Sequence, residues 1–163
     1  DLSIQKVYIT NDMSNLYIRV DNESGSLPAY CAETVFQVGA HIRSSTESAA
    51  GTTSTLNGTS LPHSFSKAFV RSSDSTTVDR YEISGSAWAF SNTESGARVE
   101  WSPAAGRIQM VIPLESIGAA VSETETWLDC AVSIGSGGTD SDVFEIHYRL
   151  TGSSQQWLYG DFE

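Results

Sequence analysis

Apolar residues in this chain recur at every second position, and that period confines it to strands with one buried face. Val7/Ile9, Leu16/Ile18/Val20, Phe36/Val38/Ala40/Ile42, Ile108/Met110/Ile112, Leu128/Cys130/Val132/Ile134 and Phe144/Ile146/Tyr148/Leu150 all alternate with polar residues. No segment sustains a 3.6-residue stripe, and only Leu114–Val121 has room for a short helix. Many short strands divided by Gly, Ser and Asn turns predict an all-β fold: an antiparallel, jelly-roll-like β-sandwich with minimal helix. At 163 residues the chain is one domain, large enough to bury a core without an obligatory metal or disulfide.

The hairpins can be placed from the same pattern. Pairing Val7 with Ile18 and Ile9 with Leu16 leaves Asn11-Asp12-Met13-Ser14 as a four-residue loop, with the Asp12 carboxylate supporting the turn. Arg98–Ser102 is expected to pair with Arg107–Ile112 through Pro103-Ala104-Ala105-Gly106. The Ser/Thr/Gly/Ala tract at 44–60 has little to bury and reads as a long surface loop.

Two of these segments also carry a likeness. Arg107-Ile108-Gln109-Met110-Val111-Ile112 ends in Pro113-Leu114-Glu115-Ser116-Ile117-Gly118, downstream of Lys6-Val7-Tyr8-Ile9-Thr10-Asn11-Asp12 and Leu16-Tyr17-Ile18-Arg19-Val20. A strand closing in Ile-Pro-Leu-x-x-Ile-Gly after such a hairpin resembles the family 9-like carbohydrate-binding modules and the DOMON-like sugar-binding sandwiches. The resemblance implies a non-catalytic module, exported with a polysaccharide-degrading enzyme and binding a polysaccharide or oligosaccharide for the attached catalytic domain. Related sandwiches carry an Asp-rich segment after their second strand. Here Val38-Gly39-Ala40-His41 stands in the comparable place, a departure that weakens any metal site carried over there.

With 9 Lys+Arg against 20 Asp+Glu the net charge is -11, which disfavours a phosphate backbone and an anionic membrane surface as partners. No apolar run approaches the roughly 20 residues that cross a bilayer. An acidic, lysine-poor, Ser/Thr/Gly-rich composition is common among exported proteins, and the chain opens at Asp1 without a charged-then-apolar leader, so an export signal is expected to have been removed. Extracellular localisation is therefore the expectation. Cys31 and Cys130 are either two buried thiols or one bridge, and the exported composition favours the bridge.

Sugar recognition needs flat aromatic faces with amides, carboxylates and guanidinium groups beside them. Trp101, in phase with Val99, belongs to the core. Trp127 is out of phase with Leu128 and Cys130 and points outward, while Trp88 and Trp157 lie among small polar residues. Tyr8 and Tyr17, expected to face each other across the first hairpin with Lys6 and Arg19 at their flanks, make a second platform or a plain cross-strand pair.

Asp140-Ser141-Asp142-Val143-Phe144-Glu145 resembles the acid spacing of some jelly-roll glycosidases, but Asp142 and Glu145, three apart, fall on opposite faces. No catalytic residue is assigned, and the chain is read as a non-enzyme. Asp140 and Asp142 are instead candidate ligands for a structural calcium ion, against the plainer reading of a solvated turn. His41, His63 and His147 are dispersed and form no visible metal triad. Two further functions stay open on the same fold: an interaction domain of a cell-surface protein, and a small jelly-roll glycosidase or lyase.

Overall fold

A computed structural model describes residues 3–22, 25, 33–42, 51–72, 75–122, 125–136 and 138–152, the side chains of His41 and Ile42 excepted. The strands are β1 (Ile4–Asn11), β2 (Asn15–Asn22), β3 (Glu33–Ile42), β4 (Thr52–Ser54), β5 (Ser60–Phe65), β6 (Lys67–Arg71), β7 (Asp79–Ser84), β8 (Ala87–Thr93), β9 (Arg98–Ser102), β10 (Arg107–Pro113), β11 (Thr126–Ser136) and β12 (Thr139–Arg149). One helical turn, α1 (Leu114–Ile117), follows β10 and stops at Gly118, whose φ of 79° is open to glycine without strain.

The strands pair antiparallel in a four-stranded sheet, β1-β2-β10-β9, and a six-stranded sheet, β12-β11-β3-β6-β7-β8. The alternating residues do what their phase requires, except Phe144 of β12, which is 46% exposed although it is in register with buried Val132. Leu16, Ile18, Val20, Ile108, Met110 and Ile112 of the first sheet meet Phe36, Val38, Phe69, Leu128, Cys130, Val132 and Ile134 of the second in one core. Two polar side chains stitch the sheets across this core. Buried Asn11 donates to the carbonyls of Asp12 (2.7 Å) and Thr151 (2.9 Å) and accepts from the Tyr148 hydroxyl (2.8 Å) and the Thr151 amide (3.1 Å). Arg71, also buried, lays its guanidinium 4.7 Å from the ring centre of Trp101, which packs against the core as its phase predicts.

The first hairpin departs from the expected register by two residues: Ile9 faces Ile18, Val7 faces Val20 and Asn11 faces Leu16. A slip of two keeps every side chain on its face, so alternation cannot detect it. What selects the tighter register is Asn11, which is a buried strand residue and not a loop residue. Tyr8 accordingly lies opposite Arg19, and Tyr17 opposite Thr10, so the two tyrosines do not face each other. Asp12 does support the turn: its carboxylate accepts from the Ser14 and Asn15 amides (both 2.7 Å) and the Tyr17 hydroxyl (2.6 Å). The second hairpin, β9 with β10, forms as expected.

The 44–60 tract is not simply an open loop. Thr52–Ser54 forms β4 and pairs with β5, and this hairpin lies on the outer face of the six-stranded sheet as a third layer. The Leu56 amide donates to Gln37 Oε1 (2.6 Å), and Leu56 packs against Val35, Ala68 and Val70 on that face. Residues 43–50 lie outside the described residues.

Cys130 is a buried free thiol, so the expected bridge is not formed at that residue; Cys31 lies outside the described residues. On the inward face of β11 the thiol packs as a small hydrophobe, and burial, with a smaller contribution from the Asp129 carboxylate, pushes it well above the ordinary thiol range.

Candidate functional site

A β-bulge decides where the acidic pair goes. Asp140 pairs with Gly135 and Asp142 with Ile134, so Ser141 is the extra residue and the two carboxylates turn to opposite faces. A Cβ on Gly135 would collide with the Thr139 carbonyl, which is why glycine stands at this close approach. Asp140 faces outward and accepts from Thr55 Oγ1 (3.0 Å), Thr59 Oγ1 (2.9 Å) and Asn57 Nδ2 (2.9 Å), tying down the β4–β5 turn. Asp142 faces inward and accepts from the Ile4 amide (2.7 Å). Among the described residues no three or more His, Cys, Asp or Glu side chains gather as metal ligands.

The expected aromatic residues that the structure describes are dispersed over the outer faces of both sheets. Tyr17 is buried, and Tyr8 carries the Arg19 guanidinium 4.8 Å above its ring, so neither offers an open face as a pair. Trp88 sits on β8 and not in a loop. Its indole donates to the Ser54 carbonyl (3.0 Å), and its ring packs against Val35, Ala68 and Val70 beneath the hairpin. On the same face Phe90, 57 % exposed, meets Tyr81 edge-on with ring centres 5.7 Å apart. Trp157 lies outside the described residues.

Trp127 points outward from β11 as its phase predicts, four strand positions from Trp88, about 19 Å at ordinary strand spacing. It stands beside both a carboxylate and a guanidinium. Its indole donates to Glu125 Oε1 (2.9 Å), and the same oxygen lies 3.4 Å from Nε of Arg149, the residue in register with Trp127 on β12. Glu125, Thr126, Arg149 and Thr151 line an adjoining shallow hollow. Along the same outward face, alternation adds Asp129 and His147, then Glu145, with His63 of β5 above them.

This strip on the outer face of β11 and β12 therefore joins an aromatic ring, a guanidinium, carboxylates and imidazoles. Sequence reasoning found Trp127 and left His63 and His147 as dispersed. Eighty-four positions of separation hide a contact that only the third-layer hairpin creates.

Comparison with known proteins adds little. No protein-family model matches the chain, and no curated protein matches it. Among solved structures, the collagen-binding domain from a Staphylococcus aureus adhesin aligns over 86% of this chain and 95% of its own, at 10% identity and a TM-score of 0.22. No argument rests on a likeness at that score. Among the described residues no helix is long and apolar enough to cross a membrane.

Proposed function

We propose that this β-sandwich is a non-catalytic carbohydrate-binding domain of an exported protein, with Trp127, Arg149 and Glu125 as its recognition group. The observation that carries the reading is their arrangement: an outward indole, with a guanidinium in register on the next strand and one carboxylate bonded to both. A pyranose stacks its C–H face on such a ring while the guanidinium donates to, and the carboxylate accepts from, its hydroxyls. The net charge of -11 disfavours polyuronates and sulfated glycans, so the ligand class is neutral polysaccharide. The domain's role is then to raise the local concentration of an attached catalytic domain at its substrate.

Affinity electrophoresis through gels cast with neutral polysaccharides, backed by a glycan array, tests this. The parent is expected to be retarded, and Trp127→Ala and Arg149→Ala to lose at least about tenfold in affinity, as at other hot spots. Equal retardation of parent and both variants would move the site elsewhere; release of reducing ends or unsaturated products would end the non-catalytic reading.

A second reading is an interaction domain of a cell-surface protein, and it has its own observation. β8, the outermost strand of the six-stranded sheet, reads Ala-Trp-Ala-Phe-Ser-Asn-Thr, without a charge or a proline, and is mostly exposed. Such an edge can accept an extended segment of a protein partner. Ser91→Lys would abolish binding of that kind and leave retardation by polysaccharide unchanged.

A further inference from the structure

We propose that His63 and His147 form a two-imidazole site for a divalent late first-row metal ion, with Zn²⁺ as the reference ligand, that clamps the β4–β5 hairpin onto β12. This goes beyond the carbohydrate reading and does not depend on it.

The two rings lie 4.2 Å apart between centres and nearly perpendicular, at 80°. Each is held from behind by a carboxylate at Nδ1: His63 by Glu145 Oε2 (2.9 Å) and His147 by Asp129 Oδ1 (2.8 Å). A carboxylate partner requires the proton on Nδ1, so in the neutral ring the lone pair sits on Nε2. Neither Nε2 has a hydrogen-bond partner among the described residues. Carboxylate behind, free Nε2 in front is the arrangement that fixes the tautomer and orientation of a metal-binding imidazole.

The side chains retain 37% and 50% of their exposure, so an ion can enter and water can complete its coordination. Two nitrogens bound to one ion at an ordinary metal–nitrogen length of about 2.0–2.1 Å lie roughly 3.3 Å apart, a separation within the range open to rings whose centres are 4.2 Å apart. Asp129 and Glu145 also offset part of the ion's charge. Imidazole donors suit zinc and copper and do not suit calcium, which takes oxygen.

The test is calorimetric titration of metal-free full chain with zinc chloride, with thermal melts alongside. One ion per chain is expected, with a rise in melting temperature. His63→Ala and His147→Ala should each weaken binding at least about tenfold, and Asp129→Asn by about tenfold with the stoichiometry kept. Copper(II) bound to the parent should show nitrogen hyperfine structure from two imidazoles, reduced to one in either histidine variant. Trp127→Ala should bind zinc like the parent, which separates this site from the sugar site. No saturable binding by the parent, or binding indifferent to both histidine substitutions, would overturn the proposal.

Discussion

Asn11 shows how much one buried amide can hold. All its hydrogen-bonding capacity is met, by groups on both sheets, within 3.1 Å. Asn11→Ala removes all four of those bonds at once. A loss of about 2–4 kcal/mol is expected in urea unfolding, because four hydrogen bonds centred on one buried amide are lost together. A second residue-scale pair is sensitive to pH. Burial raises the Asp12 carboxyl, but the Tyr17 hydroxyl and the Ser14 and Asn15 amides outweigh it, so its pKa falls below the ordinary 3.8. Burial and the same bond to Asp12 raise Tyr17 above 10.0. A lowered carboxyl stabilises the fold above its unfolded pKa and loses that contribution as pH falls through the folded value. A raised phenol contributes below its unfolded pKa and loses that contribution as pH rises through the folded value. The Asp12–Tyr17 bond is therefore at full strength from about pH 4 to about pH 10 and fades beyond both ends. Against Tyr17→Phe, the parent should be more stable by about 1.5–3 kcal/mol at neutral pH, with the gap closing in acid. A gap of constant size across the acid limb would show that the short bond contributes nothing specific.

At the scale of elements, the faces of most strands and the pairing within the two local hairpins, β1–β2 and β9–β10, were legible in the sequence, and the long-range partners were not. Val7/Ile9 and Leu128/Cys130/Val132/Ile134 turn inward as alternation demands, since a period of two maps directly onto the pleat. The two-residue slip of the first hairpin is invisible to that pattern. The β4–β5 layer was illegible for a different reason: its attachments are largely polar and long-range. A Ser/Thr-rich tract signals nothing until Asp140, more than eighty positions away, supplies an acceptor for Thr55, Asn57 and Thr59. The bulge at Ser141 is equally silent in the sequence, and it is what separates Asp140 from Asp142. Asp140→Ala should therefore act locally. Amide exchange across 52–65 is expected to accelerate roughly tenfold or more, as a local opening of about 1–3 kcal/mol becomes easier, while exchange in β2 and β10 stays slow. Uniform acceleration through both sheets would mean that the hairpin is part of the main folding unit and not a docked layer.

For the whole molecule, the division between a core that spans both sheets and the proposed recognition groups on one outer face makes stability and binding separable. Trp101 and Arg71 belong to the first category. Removing the indole in Trp101→Ala opens space beside the core and leaves the buried Arg71 guanidinium without the ring beneath it. A loss of roughly 3 kcal/mol is expected, read as a sharp fall in melting temperature. Trp127 belongs to the second category. Its ring stands on the outward face, so Trp127→Ala should cost under about 1 kcal/mol in stability and yet weaken polysaccharide binding at least about tenfold. Measured below its melting temperature, Trp101→Ala should bind polysaccharide like the parent. Because the proposed ligand is uncharged, the affinity of the parent should also hold from low to high salt, whereas an ionic partner would be lost on screening. If Trp127→Ala melts early and binds normally while still folded, Trp127 is a packing residue. The uncharged β8 edge, with Phe90 exposed beside Tyr81, then becomes the recognition surface to test.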